Sequence, residues 1–233
     1  MSSVRHYYNR SHAHRIDLRD PQSDYNQKQN EQPEGFQDWK KDFLNRRENQ
    51  WLCDIPDDFI QDRFNTYGLQ DEVKDLSVYC DIIQGKYNTA MLPKSCEREI
   101  AKNLPMVYGL IHSRYILSPD GLNAVKNKYK RSVYGTCPRL NCNNVSLLPI
   151  GLSSMMNVSN VKAFCPCCRE VYEARPVNHL DGAFFGPNMA HIFLDEMKKN
   201  KESLPFRYIP TQHTAFGFRT RNSSFQSGNN HDD

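Results

Sequence analysis

Apolar positions recur at helical spacing through the first half of the chain, which predicts an all-helical region. One stripe, in "DEVKDLSVYCDII", consists of Val73, Leu76, Cys80 and Ile83. A longer stripe, in "REIAKNLPMVYGLIHSRYIL", consists of Ile100, Leu104, Val107, Ile111 and Tyr115. Pro105 interrupts the longer stripe, and a proline in a helix interior costs about 3 kcal/mol. This helix therefore either kinks at Pro105 or begins there.

Two further helices are predicted from the residues at their ends. In "DIPDDFIQDRFNTYG", Pro56 suits the first helical position and Gly68 suits the end of the helix. The apolar side of this helix consists of Phe59, Ile60 and Phe64. In "SPDGLNAVKNKY", Ser118 is the predicted N-cap and Pro119 the first helical residue. The side chains predicted to face inward there are Leu122, Val125 and Tyr129.

The pattern changes after Tyr134. Short apolar runs such as "VSLLPIGLS", "VKAF" and "EVYEA" are bounded by Pro, Asn and Ser, which is typical of short strands and loops. Residues 1–35 and 219–233 are polar and poor in aliphatic side chains, so we expect both segments to be disordered tails. The fold class predicted for the core over 36–218 is α+β, with a helical domain followed by a strand-rich module.

The composition places limits on the function. The chain has 233 residues, of which 38% are hydrophobic, enough for a core, and its net charge of +3 is too small to indicate a nucleic-acid or membrane partner. No window approaches the roughly 18 apolar residues of a membrane span, and "MSSVRHYYNRSHAHR" lacks the apolar stretch of a secretory signal. We therefore expect a cytoplasmic or nuclear protein, in which clustered cysteines are metal ligands rather than disulfides.

Two neighbouring motifs, "CPRLNC" and "CPCC", contain five of the eight cysteines and are separated by 22 residues. Paired motifs of this kind hold a structural Zn²⁺ in a zinc ribbon, because four thiolates close a tetrahedral site. The predicted ligands of one Zn²⁺ per chain are Cys137, Cys142, Cys165 and Cys168. Adjacent cysteines cannot both serve easily, so Cys167 is spare, and a site that uses Cys165 with Cys167 is the alternative. Iron also fits four thiolates, but zinc is the expected metal of a cytosolic protein.

A closed four-thiolate site has no coordination position for a substrate, so it indicates a scaffold rather than a catalyst. His112 lies in the helical pattern and His179 in a loop, and neither has a nucleophile or carboxylate at recognisable spacing. The other cysteines are interpreted as small buried hydrophobic side chains: Cys53, Cys80 and Cys96. No catalytic residue is predicted.

Six blocks of sequence carry a family resemblance: "NQWLCDIPDDFIQDRFNTYGL", "VYGLIHSRYIL", "KYKRSVYGTCPRLNC", "LLPIGLS", "VKAFCPCCREVY" and "LDGAFFGPNMAHIFL". With the weaker "GFQDW", they follow one order over about residues 36–218. In that order they resemble the regulatory beta subunit family of casein kinase II, and the chain is identified as a divergent member.

The resemblance implies an all-helical N-terminal domain over 36–132 packed beside a four-cysteine zinc ribbon over 133–195. It also implies a homodimer formed largely through the ribbons. A segment over 196–218 would dock on the catalytic alpha subunit, which gives a tetramer of two regulatory and two catalytic subunits. In this family the regulatory subunit is not an enzyme; it stabilises the kinase and influences its choice of substrate.

The docking element of the family is a short aromatic turn, to which "HTAFGFR" is similar. Phe216 and Phe218 would be its anchors, and Gly217 would allow the tight bend. The alternative is that both rings pack within their own domain.

Three features depart from the family pattern. The segment "QGKYNTAMLPKS" over 84–95 has no acidic residue where the family has an acidic loop, so we expect regulation by polycations to be lost. The N-terminal "MSSVRHYY" lacks the acids that this acidophilic kinase needs beside a target serine. The stretch "RYIPTQHTAFGF" is longer than the family's spacing between its proline and the aromatic turn, which predicts weaker kinase affinity.

Two alternative functions stay open. A divergent paralogue would dimerise without engaging the kinase, and the altered spacing keeps this alternative open. A zinc-ribbon nucleic-acid-binding protein would use the basic run "KNKYKR" over 126–131, although the small net charge opposes it.

Overall fold

The structure, a computed structural model, describes residues 38–87, 94–175, 177, 179–202, 214–215 and 218–219. The polar segment predicted over 1–35 lies outside these residues, and so does the predicted C-terminal tail apart from Arg219. Within the described part of the chain, no helix combines the length and the apolarity needed to cross a membrane.

Helices dominate the first part of the described chain, and a small sheet lies in the second. The helices are α1 (Trp39–Asn45), α2 (Asp57–Gln61), α3 (Arg63–Thr66), α4 (Leu69–Glu72), α5 (Leu76–Ile83), α6 (Lys94–Tyr115), α7 (Pro119–Lys130) and α8 (Met189–Lys199). Short 3-10 helices are Arg47–Asn49, Leu140–Cys142 and Gly182–Phe184. Strands β1 (Leu148–Ile150), β2 (Lys162–Phe164) and β3 (Val171–Glu173) form an antiparallel sheet in that order, and β4 (Thr214–Ala215) pairs with β5 (Phe218–Arg219). This mixture agrees with the predicted α+β class.

Helix α6 continues through Pro105 and begins at Lys94, so the alternative in which it begins at the proline is wrong. Pro105 has no N–H for the carbonyl of Ala101, but Ala101 is exposed, so water can satisfy that carbonyl. The five residues of the predicted stripe are all buried, as expected: Ile100, Leu104, Val107, Ile111 and Tyr115.

The helix predicted over residues 56–68 is divided in two at Asp62. Asp62 is extended, and its carboxylate accepts the backbone N–H of Phe64 at 2.9 Å, which caps a new helix, α3. The break turns Phe64 to the surface, where it is 89% exposed, so the prediction that Phe64 packs inward is wrong. Gly68 follows α3 with a φ of +78°, which agrees with its predicted role at a helix end. Pro56 precedes the first helical residue instead of occupying that position.

Helix α5 begins later than the apolar stripe suggested. Val73 is buried, but it lies in the connection after α4, and Asp75 follows with a φ of +54°. The side chains that α5 buries are Tyr79, Ile82 and Ile83, whereas Leu76 and Cys80 are half-buried. The predicted stripe therefore overlaps the buried face only in part, because a local turn resets the helix at Leu76.

Helix α7 has the predicted start. The Ser118 hydroxyl accepts the backbone N–H of Gly121 at 3.1 Å, and Pro119 is the first helical residue. Val125 and Tyr129 are buried, as expected, and Leu122 is half-buried. A side-chain cap, a proline at the first position and an apolar face were sufficient to predict this helix.

The helical part and the sheet part share one hydrophobic core. The junction lies where α6 contacts the 3-10 helix Gly182–Phe184. A Cβ atom added to Gly109 of α6 would lie 2.1 Å from the ring of Phe184, so only glycine lets the ring approach the helix this closely. The helical part and the sheet part therefore pack closely where Gly109 meets Phe184.

A buried histidine joins three segments at this junction. His112 of α6 is fully buried, and its Nε2 accepts the backbone N–H of Cys53 at 2.9 Å. Its Nδ1 lies 2.8 Å from the carbonyl oxygen of Phe184 and donates to it, which fixes a neutral tautomer. Burial lowers the pKa of His112 from 6.5 to about 4. Both ring nitrogens of His112 are thus used in hydrogen bonds that join segments of the fold. The other histidine considered from the sequence, His179, is exposed in a loop.

Candidate metal centre

The first cysteine pair lies in a tight turn. The backbone N–H of Cys137 donates to the carbonyl of Val145 at 2.9 Å, which closes the turn. Asn143 and Asn144 reverse the chain with positive φ angles of 48° and 55°, which Asn tolerates better than most residues. Cys142 ends a 3-10 helix just before this reversal. The local sequence therefore holds the two thiols of this pair on one turn.

The second cysteine pair lies in the turn between β2 and β3. The backbone N–H of Cys165 donates to the carbonyl of Glu170 at 2.9 Å, and the N–H of Arg169 donates to the carbonyl of Cys165 at 2.8 Å. Arg169 has a φ of +60°, which closes the turn one residue after Cys168. Because β2 and β3 pair directly, this turn is anchored at both ends by the sheet.

The two turns bring together the four cysteines chosen from their spacing: Cys137, Cys142, Cys165 and Cys168. Their four sulfur atoms all lie within 4.8 Å of one another, and the sulfurs of Cys137 and Cys168 are 3.8 Å apart. A tetrahedron of sulfurs at the Zn–S distance of about 2.3 Å has edges of about 3.8 Å. The donor set and its spacing therefore fit a closed Zn²⁺ site.

Cys167 is buried, but its sulfur is not part of this group of four. None of the eight cysteines of the chain forms a disulfide. Of the cysteines outside the two motifs, Cys53 is buried, and Cys80 and Cys96 are half-buried.

The sulfurs of the cluster differ in acidity. Burial raises the pKa of Cys165 to about 12, and it raises the pKa of Cys142 further. Burial opposes ionisation of Cys168 as well, but hydrogen bonds from the Tyr172 hydroxyl and the Glu170 backbone lower its pKa to about 7. Four thiolates so close together repel one another, and a divalent cation between them removes this cost.

Tyr172 of β3 contacts two of the sulfurs and was not predicted as part of the site. Its hydroxyl oxygen lies 3.3 Å from the sulfur of Cys168 and 3.6 Å from that of Cys137. When these sulfurs are thiolates, the tyrosine O–H is the donor. The signal that could have found it is the alternation along β3, in which Val171 and Glu173 are exposed and Tyr172 is half-buried.

We expect Tyr172→Phe to weaken zinc binding about tenfold, because loss of a hydrogen bond to a ligand reduces metal affinity by factors of this order. Competition with a chromogenic chelator measures the affinity directly. Tyr67→Phe is the matched control, since Tyr67 is exposed in the helical part and removal of its hydroxyl should leave zinc affinity unchanged. Equal zinc affinity in the Tyr172→Phe variant and the unmodified protein would contradict the role given to this hydroxyl.

The predicted docking residues are only partly described. Phe216 and Gly217 lie outside the described residues. Phe218 begins β5, which pairs antiparallel with β4 so that Ala215 lies opposite Phe218. The docking assignment stays a prediction.

A mixed helical fold with a four-cysteine cluster that fits a structural metal is characteristic of a zinc-stabilised scaffold. The family model described as casein kinase II regulatory subunit matches residues 38–219. The chain belongs to the casein kinase II regulatory subunit family, as the sequence blocks indicated.

Known relatives cover most of the chain. Casein kinase II subunit beta of Schizosaccharomyces pombe is 37% identical over 193 residues, which are 80% of this chain and 80% of that protein. Casein kinase II subunit beta' of Drosophila melanogaster is 30% identical over 81% of this chain and 86% of its own length. Casein kinase II subunit beta' of Saccharomyces cerevisiae is 33% identical over 77% of this chain and 71% of its own length.

Proposed function

We propose that this protein is a non-catalytic regulatory subunit of casein kinase II that acts in the cytoplasm, the nucleus or both. It binds one structural Zn²⁺ per chain, dimerises through its zinc ribbon, and binds the catalytic alpha subunit to stabilise it and influence its choice of substrate. The observation that carries this proposal is the group of four cysteine sulfurs within 4.8 Å, in a chain that matches the family model over residues 38–219.

The zinc has a structural role in this proposal. All four ligands are thiols, so a bound Zn²⁺ has no open coordination position for a substrate. Strands β1, β2 and β3 have three residues each, and a sheet this small gains little from its own hydrogen bonds and packing. The metal supplies the free energy that holds the two cysteine turns against the sheet.

Exposed apolar residues beside the cysteine turns support a dimer face on the ribbon. Leu140 is 93% exposed and Val171 is 45% exposed. Arg139 immediately precedes Leu140, and Glu170 immediately precedes Val171. Arg139 and Glu170 form an ion pair at 3.6 Å, so both apolar side chains belong to the same end of the ribbon. Exposed apolar residues grouped in this way are typical of a protein–protein interface. A second copy of the chain is the partner proposed for this end.

The aromatic residues of "HTAFGFR" are the proposed contact with the kinase. Phe216 and Phe218 are large apolar side chains, which commonly carry most of the binding energy at an interface. Gly217 between them allows the chain to bend without steric cost from a Cβ atom.

The basic run "KNKYKR" does not form one continuous surface, which favours a protein partner over nucleic acid. Lys126 is paired with Glu202, and the Lys128 ammonium donates to the carbonyl of Gln50 at 2.8 Å. Nucleic-acid binding through this run would need its cations to act together on a phosphate backbone.

We expect the full chain to co-purify with the catalytic subunit as a tetramer, and Phe216→Ala combined with Phe218→Ala to abolish co-purification while the dimer persists. Phe64→Ala is the control, because Phe64 is an exposed aromatic residue of the helical part. Pulldown together with a measurement of oligomer mass separates the outcomes. Unchanged binding by the double variant removes the docking assignment, and a dimer that never binds the kinase identifies the divergent paralogue.

A further inference from the structure

A cleft of about 570 Å³ lies between helix α1 and the C-terminal part of α7. Its wall includes the apolar side chains of Leu44, Leu52 and Val133. The same cleft is lined by cationic residues of α1 and of the end of α7: Lys40, Lys41, Lys128 and Arg131, which follows the helix directly. The cleft thus combines an apolar surface with a concentration of positive charge that the zinc site and the docking turn do not use.

Lys128 is one of the enclosed cations of the cleft. It is half-buried, and its ammonium donates to the carbonyl of Gln50 at 2.8 Å. Among the described residues, no carboxylate lies within ion-pair distance of Lys128. Burial is the main cause of the lowered pKa of Lys128, and the nearby charge of Arg131 lowers it further. A half-buried ammonium beside a second cation provides a strong attraction for an anion.

The acidic residues of the cleft already have partners. Asp54 lies 3.6 Å from the ammonium of Lys40, which also binds Asp57 at 2.7 Å. Asp38 accepts the backbone N–H of Lys41 at 3.1 Å and so caps helix α1. The positive charge of Lys41, Lys128 and Arg131 therefore stays without a carboxylate partner in the part of the chain that the structure describes.

We propose that this cleft binds a phosphorylated side chain within an acidic peptide. The choice of an acidic peptide, a target of the kinase, rests on the proposed function. A phosphate dianion presents several acceptor oxygens, which match the guanidinium of Arg131 and the two ammonium groups. The apolar wall accommodates a neighbouring side chain of the peptide. Products of an acidophilic kinase have this chemistry, so the cleft would hold such a peptide on the regulatory subunit.

A compact phosphorylated peptide suits the cleft better than a nucleic acid. The three unneutralised cations, Lys41, Lys128 and Arg131, converge on one cleft instead of following a line of phosphates.

The test uses the zinc-bound full chain and a labelled acidic peptide with one phosphoserine. Fluorescence anisotropy should show tighter binding of this peptide than of the same peptide with alanine at that position. Lys128→Gln combined with Arg131→Gln should weaken binding of the phosphopeptide about tenfold or more. The matched control is Lys130→Gln with Lys198→Gln, which removes two exposed charges outside the cleft and should change affinity by less than about twofold.

Arg131→Gln alone, at an exposed position, provides a variant that should fold normally and still bind the phosphopeptide more weakly. Equal affinity for the phosphorylated and unphosphorylated peptides would overturn the proposal, and so would equal affinity of the cleft variants and the control. Tighter binding of a single-stranded oligonucleotide than of the phosphopeptide would overturn it as well. The same variants should still co-purify with the catalytic subunit, so failure of this inference is distinguishable from failure of the proposed function.

Discussion

Cys165→Ser is expected to abolish the binding of one Zn²⁺ per chain and to unfold the sheet formed by β1, β2 and β3. Cys165 is fully buried and follows β2 directly, so a lost ligand there disrupts both the metal and the strand. Structural zinc sites contribute about 10–16 kcal/mol of apparent binding free energy at neutral pH. That figure is comparable with the whole stability of a domain, about 5–15 kcal/mol.

Mass spectrometry measures the loss of zinc, and circular dichroism measures the unfolding of the sheet. Cys168→Ser should behave like Cys165→Ser, because its sulfur belongs to the same group of four. Cys167→Ser is the matched control: Cys167 is adjacent and buried, but its sulfur is outside the group, so this variant should keep its zinc. Loss of zinc from Cys167→Ser and its retention by Cys168→Ser would show that the ligand pair is Cys165 and Cys167.

The second large effect is expected from His112→Ala, which should lower the free energy of unfolding by about 3–5 kcal/mol. The substitution leaves the backbone N–H of Cys53 and the carbonyl of Phe184 without their partner in the core. It also leaves a cavity beside Tyr108 and Phe185, whose rings contact the imidazole. Chemical denaturation of the zinc-bound protein at pH 7 measures the loss.

His112 also predicts a pH dependence of stability. Its pKa falls from 6.5 to about 4 on folding, so between these values the unfolded chain binds a proton that the folded chain does not. The contribution of His112 is therefore complete above pH 6.5 and is lost as the pH falls toward 4, by about 3 kcal/mol in total. Zinc–thiolate sites also release metal in acid, which lowers stability by a separate route. The effect of His112 is therefore measured as the difference in unfolding free energy between the unmodified protein and a variant whose residue 112 does not titrate.

His112→Gln is the appropriate variant for this comparison. The glutamine amide can accept the backbone N–H of Cys53 as Nε2 does, but it does not ionise between pH 4 and 6.5. Denaturation curves across this range should show a shallower loss of stability for His112→Gln than for the unmodified protein. Identical pH profiles for the two proteins would mean that another group titrates at the junction.

Elements with local signals were predictable from the sequence. Helix α7 has a side-chain cap, a proline at its first position and an apolar face, and the structure contains each of them. The cysteine spacing pointed to the four sulfurs that the structure groups together, because thiols separated by two or four residues can share a turn.

Features that depend on the tertiary structure were not predictable. Phe64 matched an apolar stripe, but the carboxylate of Asp62 caps a new helix and directs Phe64 to the surface. The alternation along β3 indicates that Tyr172 faces inward, but no spacing links it to the cysteines, since its contact with Cys168 arises from the pairing of β2 and β3. His112 looked like an ordinary helical residue, and its two partners lie 59 and 72 positions away in the chain.

The fit between Gly109 and Phe184 constrains how this chain can change. Because the ring lies 2.1 Å from the place of a Cβ atom, the helical part of this chain cannot be combined freely with the ribbon of a relative. A hybrid subunit that paired Phe184 with a larger residue at position 109 would have to move the ribbon away from α6, and the bonds of His112 would lengthen with it. Positions 109 and 184 are therefore expected to change together or not at all.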